Sequence, residues 1–327
     1  MATATQIKAL LSSHSTGDDE RFRAVALQVA AAEARKGHQK LADELRELVN
    51  EARRRAESHL AFQNVHSLST PQGEAGELLE ATDTHLTLAD LVLEGSLRDR
   101  INRIVQEQKN LSRLKENNLN PRQKLLFTGP PGCGKTITAA ALANELHLPL
   151  FVVRLDSLIS RYLGESLSKL RLIFEAAERH RAVYLFDEFD SIGYTRDAGG
   201  DVGEMRRVLN SFLVFIEKLK SNSLIIAATN YGQRLDKALF RRFDDLIEFG
   251  LPEPVQARET INRLLRNIDS EKFVWNKLDA AAKGLSYAEI TRACEEAIKE
   301  MLILDLPKVT NKALVAALTE RRLHDNH

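Results

Sequence analysis

Apolar positions along the chain fall into three regimes. Over residues 1–58 they repeat at helical spacing: Ile7, Leu10 and Leu11 make one stripe, Phe22, Val25, Ala26 and Val29 a second, and Leu41, Leu45 and Leu48 a third. Asp18 and Asp19 suit the N-cap of the second helix, and Gly37 can end it. The expectation is a small all-α bundle of three helices. Over 59–85 the pattern lapses, and Ser67, Ser69, Thr70, Pro71, Gly73 and Gly76 mark a linker. From Leu86 to Phe249 short apolar runs alternate with helical stretches. The runs predict strands at Lys124–Thr128, Leu150–Leu155, Ala182–Asp187, Leu224–Thr229 and Asp245–Phe249. Strands separated by helices imply a parallel sheet with right-handed crossovers, here of five strands, in an α/β domain over 86–250. Beyond Pro252 and Pro254 the pattern is helical, with helices expected at Val255–Asn267, Ser286–Leu304 and Asn311–Arg322, a third domain over 251–327.

The first strand runs into Gly129-Pro130-Pro131-Gly132-Cys133-Gly134-Lys135-Thr136, and a helical pattern follows. This is the strand–loop–helix setting of a phosphate-cradling loop. Glycines let successive N–H groups converge on one oxyanion, and the helix N-terminus adds the positive end of its dipole. Lys135 can reach β- and γ-phosphates, and Thr136 can offer a hydroxyl to Mg²⁺. A Gly-rich turn also arises for purely structural reasons, but the Lys-Thr in register and the strand before it argue against that. The run Val183–Phe186 ends in Asp187-Glu188. A carboxylate at the end of a strand beside the loop can hold Mg²⁺, which assigns Asp187 to the metal and Glu188 to the attacking water.

Composition narrows the rest. Hydrophobic residues are 43% and charged residues 28% of 327, an ordinary globular mix. Lys and Arg number 46, as do Asp and Glu, so the chain lacks the basic footprint of a dedicated nucleic-acid binder. The run Arg53-Arg54-Arg55 reads first as a solvated helix end. Cys133 and Cys294 cannot build a disulfide framework, which points to a reducing cytoplasm. No apolar run approaches a membrane span, and no signal-peptide core appears at the N-terminus.

From Leu86 to Arg322 the chain resembles the AAA ATPases. Beyond the two nucleotide motifs, Ala227-Ala228-Thr229-Asn230 is similar to the family's sensor-1 strand, which implies that Asn230 orients the attacking water. Leu239-Phe240-Arg241-Arg242-Phe243-Asp244 resembles the second homology region, which implies that Arg241 and Arg242 are arginine fingers reaching a neighbouring subunit's ATP. Leu285–Ile290 resembles the start of the helical lid over the adenine, with Ala288 at the base and Tyr287 standing where family members usually carry Gly. Asp90-Leu91-Val92-Leu93 lies where the family contacts the base from the other side, which assigns Leu91 and Val92 to it, although an apolar helix entry looks identical. Arg161-Tyr162-Leu163-Gly164-Glu165 resembles the loop that faces a central pore, which assigns Tyr162 and Leu163 to polypeptide; a buried Tyr at a helix start is the other reading. Glu204–Arg207 matches a segment common at subunit contacts, ahead of a helix expected at Val208–Leu219.

The resemblance implies ATP and Mg²⁺ as cofactors, a homo-oligomer of six subunits and a polypeptide substrate, with the N-terminal bundle used for docking. Asp18–Phe22 through Lys36-Gly37-His38 is similar to the start of stand-alone bacterial AAA proteins encoded beside a subtilisin-like serine protease, in anti-phage or plasmid-incompatibility systems. No His-Glu-x-x-His signature or serine-protease triad appears in the chain, so any proteolysis belongs to a partner. Two alternatives stay open: a nucleotide-controlled assembly switch that does not thread, and an ATPase of the same class acting on nucleic acid.

Overall fold

The computed structural model describes residues 71, 73–82, 85–158, 163–190, 202–231 and 237–324, together with Ala26 and Ala30. The chain divides into two compact units, Met1–Leu68 and Ser69–His327. The expected three-helix bundle apart from Ala26 and Ala30, and Arg161 and Tyr162 of the Arg161–Glu165 loop, lie outside the described residues. The second unit is built on a sheet of six strands: β1 (Leu79–Thr82), β2 (Lys124–Thr128), β3 (Leu150–Val153), β4 (Val183–Phe186), β5 (Leu224–Thr229) and β6 (Asp245–Glu248). Their order is β1-β3-β4-β5-β2-β6. The last five run parallel, as the alternation of strands and helices requires.

The sixth strand corrects the expectation of five. β1 pairs antiparallel with β3, Leu79 opposite Val153 and Thr82 opposite Leu150. It lies inside the stretch read as linker, preceded by a short helix, α1 (Glu74–Glu77). Its sequence Leu-Glu-Ala-Thr buries only Leu79 fully, as suits an edge strand, and a strand this short leaves no periodic signal.

β4 and β5 are buried along their whole length, and β2 nearly so, because helices cover both faces. Alternate residues divide between the two sides. Leu126, Tyr184, Phe186, Ile225 and Ala227 pack against α6 (Leu163–Arg179) and α7 (Val202–Lys218). Leu125, Phe127, Leu185, Ile226 and Ala228 pack against α2 (Gly95–Lys109) and α4 (Lys135–Glu145). α3 (Leu111–Glu116) leads into β2, and the one-turn helix α5 (Leu155–Leu158) takes residues that the sequence pattern assigned in part to β3. α4 presents Ala139, Ala140, Ala141 and Ala143, whose small side chains let the helix lie close to the sheet. α7 begins at Val202, six residues before the expected Val208, so Glu204–Arg207 is helical rather than a lead-in.

The one-turn helix α8 (Lys237–Phe240) precedes β6. Four helices then form a separate core: α9 (Pro254–Leu264), α10 (Trp275–Ala282), α11 (Tyr287–Ile303) and α12 (Asn311–His324). α10 has no counterpart in the sequence reading, its eight residues being too few for a clear helical period. α11 starts in a complete capping box, in which the Ser286 hydroxyl accepts from the Glu289 N–H and the Glu289 carboxylate accepts from the Ser286 N–H.

Candidate functional site

β2 lies between β5 and β6, and the chain leaving it crosses to β3, three places away. Its carboxyl end is therefore the topological switch point where open α/β sheets bind ligands. The Gly129–Thr136 loop sits there. Gly129 passes so close to β6 that a Cβ on it would stand 2.1 Å from the Phe249 carbonyl oxygen. Gly132 has φ +72°, and a Cβ there would meet the Ser286 hydroxyl at 2.6 Å and the Ala288 methyl at 2.9 Å. Only glycine fits either position.

Lys135 is the first residue of α4 and is 7% exposed. Its ammonium donates to the Gly129 carbonyl at 2.7 Å, the Pro130 carbonyl at 2.8 Å and Asn230 Oδ1 at 2.8 Å. Burial lowers its pKa from the ordinary lysine value, and the electrostatic pull of Cys133, Asp187 and Asp190 opposes this. The next residue, Thr136, donates its hydroxyl to Asp187 Oδ2 at 2.6 Å. Two side-chain hydrogen bonds thus tie the loop to the ends of β4 and β5, residues 51 and 95 positions away in sequence.

The turn after β4 carries Asp187, Glu188 and Phe189. Glu188 has φ +49°, the left-handed region that non-glycine residues avoid. Its N–H donates to Asp187 Oδ1 at 2.9 Å, and the Phe189 N–H donates to the Ala228 carbonyl at 2.8 Å. The Phe189 ring is fully buried, 4.7 Å from the Phe212 ring, in a cluster with Phe174 and Phe186. Apolar packing below holds the two acids at the surface above.

A hydroxyl and a carboxylate at one point are hard oxygen donors of the kind Mg²⁺ takes. Among the described residues no three His, Cys, Asp or Glu side chains gather into a metal site. Thr136 and Asp187 therefore fit an ion that completes its shell with phosphate and water, and do not make an all-protein cage.

The expected base side converges on the same loop. The Ala288 N–H donates to the Gly132 carbonyl at 3.1 Å, so the start of α11 rests on the Gly129–Thr136 loop. Arg98 holds the Leu91 carbonyl at 3.0 Å, and Arg263 of α9 holds the Ala89 carbonyl at 2.8 Å. Asp90 accepts from the Thr87 N–H and hydroxyl, which holds its carboxyl below the usual carboxylate range. Leu91 is buried in the cluster that contains Cys133, and Val92 is half-buried. Burial raises the Cys133 thiol, which makes it a packing group and a poor nucleophile. Tyr287 is half-buried, and burial, with smaller contributions from Cys133, Glu94 and Glu259, pushes its phenol up to about 12.

Arg241 and Arg242 both lie on the surface just before β6 and differ in their partners. Arg242 forms an ion pair with Glu217 near the end of α7. Arg241 makes no ion pair among the described residues. Leu163 begins α6. Sequence reasoning missed two contributors to the site: Ser286, which packs on Gly132, and Asp190, which accepts from Thr229 and Asn230. Asp190 stands in no spacing that announces a role, whereas Ser286 has the spacing to Glu289 of a helix cap, which foretells the helix start but not the contact with Gly132.

Residues 125–251 match the family model for the ATPase family associated with various cellular activities, AAA. An uncharacterized AAA family ATPase, y4kL, of Sinorhizobium fredii is 38% identical over 98% of this chain and 96% of its own length. A putative 26S proteasome regulatory subunit homologue of Methanothermobacter marburgensis is 32% identical, over 62% of this chain and 55% of that protein. The ATP-dependent zinc metalloprotease FtsH of Mycoplasmopsis synoviae is 34% identical, over 61% of this chain and 31% of that protein. The crystal structure of the FIGL-1 AAA domain superposes with a TM-score of 0.60 at 24% identity, covering 78% of this chain and 88% of that one, a likeness of fold. With the Gly129–Thr136 loop at the switch point, an acidic strand end tied to it and a near full-length relative of that name, the chain belongs to the AAA family of ATPases.

Proposed function

We propose that this chain hydrolyses ATP with Mg²⁺ in a ring of identical subunits, a hexamer, and uses the cycle to remodel or thread polypeptide. The observation that carries the hydrolytic part is the pair of contacts Lys135–Asn230 and Thr136–Asp187, which gathers a cation, a hydroxyl, a carboxylate and an amide at one loop. In this reading Pro131, Gly132, Cys133 and Gly134 present backbone to the phosphates. Lys135 exchanges its carbonyl partners for β- and γ-phosphate oxygens, and Thr136 and Asp187 hold the metal. Bound Mg²⁺ supplies charge neutralisation across the phosphates. Glu188 orients the attacking water, and Asn230 holds it near the γ-phosphate. Leu91, Val92 and Ala288 flank the base.

Arg241 and Arg242 act on a neighbour's ATP. The segment that carries them enters β6 where Asp245 pairs with Leu125, near the start of β2, whereas the phosphate loop leaves β2 after Thr128. At about 3.3 Å per residue that is roughly 10 Å along the strand before loop and side chain are counted, a separation that supports service to another subunit.

The polypeptide reading is supported by the names of two relatives, a proteasome regulatory subunit homologue and a zinc metalloprotease. Tyr162 and Leu163 would grip the substrate, the N-terminal unit would dock it, and the proposed partner is a separately encoded subtilisin-like serine protease in the cytoplasm. Among the described residues no helix is long and apolar enough to cross a membrane.

The test is Tyr162→Ala. A pore aromatic meets substrate and not nucleotide, so the variant should keep ATP binding, assembly and most basal ATPase while substrate processing is lost. Tyr162→Phe should be mild, since grip uses the ring face. A fully functional Tyr162→Ala protein would replace threading with the assembly switch. A drop in stability of about 3–5 kcal/mol would mark Tyr162 as a core residue instead.

A further inference from the structure

We infer that Asp190 is a positioning residue that holds Asn230 and the strained Glu188 turn against each other. The inference rests on the hydrolytic reading of Glu188 and Asn230. Asp190 Oδ1 accepts from the Thr229 hydroxyl at 3.2 Å and from the Asn230 backbone N–H at 3.4 Å. Thr229 is fully buried, and its hydroxyl in turn accepts from the Tyr231 N–H at 3.1 Å. One carboxylate oxygen therefore fixes the end of β5 at the residue whose side chain meets Lys135.

The same residue ends the turn that carries Glu188. A left-handed non-glycine residue persists only where its surroundings over-determine it. Glu188 is held from before by Asp187 Oδ1 and from after by two ties to β5, the Phe189 N–H on the Ala228 carbonyl and the Asp190 carboxylate on Thr229 and Asn230. The main-chain tie survives any side-chain substitution, so the turn should still form without Asp190. What is lost is the register between the Glu188 carboxylate and the Asn230 amide. The Asp190 hydrogen bonds run to β5, so Asp190 acts through its neighbours.

The experiment compares Asp190→Ala and Asp190→Asn with wild type in the full chain, reading phosphate release, ATP affinity, melting temperature and exchange of the Asn230 amide. Asp190→Ala should lower kcat about 10²-fold, the scale of a misplaced catalytic group, with ATP affinity within about threefold. Exchange at Asn230 should quicken. Asp190→Asn keeps an acceptor oxygen and should recover most of kcat. The inference is overturned if Asp190→Ala keeps kcat within about twofold, if kcat and affinity fall together with the melting temperature, or if Asp190→Asn is no better than Asp190→Ala. A wild-type chain without ATPase would defeat the hydrolytic reading itself. Unchanged exchange at Asn230 in Asp190→Ala, beside an active wild type, would defeat the positioning role alone.

Discussion

Lys135→Ala should abolish ATP binding at any ordinary nucleotide concentration. The ammonium makes three hydrogen bonds from a site 7% exposed, and in the proposed complex the same donors meet phosphate oxygens. Hydrogen bonds to charged groups are each worth about 1.5–3 kcal/mol, and two of them correspond to roughly 10²- to 10⁴-fold in affinity. The fold should survive, because Gly129, Pro130 and Asn230 lie at the surface end of the sheet where water can replace the lost donor. Titration with a fluorescent ATP analogue, beside a melting curve, checks both halves. Affinity within a few-fold of wild type would remove Lys135 from the site.

Arg241→Ala should lower ATPase by about 10³-fold, the scale of a finger that stabilises charge on the phosphoryl oxygens, with ATP binding retained. Arg242→Ala should cost less, because its guanidinium is already paired with Glu217 and must leave that partner to reach a phosphate. The effect should also be complemented between subunits. Chains carrying Arg241→Ala, mixed with chains carrying Lys135→Ala, place an intact nucleotide site beside an intact finger. Activity above the sum of the separate variants is expected once co-assembly is verified. No gain in a verified mixed assembly would contradict action across the interface.

How much of this was legible in the sequence depended on whether the signal was local. The buried strands β2, β4 and β5 are almost wholly apolar, and each ends in residues of opposite character, so both the sheet and its acidic edge could be read directly. The loop could be read because its chemistry needs consecutive residues. β1 could not, because a four-residue edge strand with one fully buried position looks like linker until Val153 and Leu150 are seen beside it. The early start of α7 did have a sequence signal, Asp201 followed three residues on by Glu204, but Gly203 weakens the helical pattern between them. The hydrogen bonds of Asp190 to β5 span 39 and 40 positions and have no sequence signature at all. The distinction between Arg241 and Arg242 is likewise invisible in an Arg-Arg pair, since it rests on where Glu217 ends up.

The most direct test of the central claim is steady-state phosphate release from Mg²⁺-ATP by wild type and by Glu188→Gln, with ATP binding measured on the same samples. Glutamine keeps the shape of Glu188 and loses the charge that orients water and accepts its proton. Wild type should turn over, and Glu188→Gln should bind ATP with wild-type affinity while release falls by about 10²-fold or more. Equal release from the two proteins would contradict the assignment of Glu188 and with it the hydrolytic site built here.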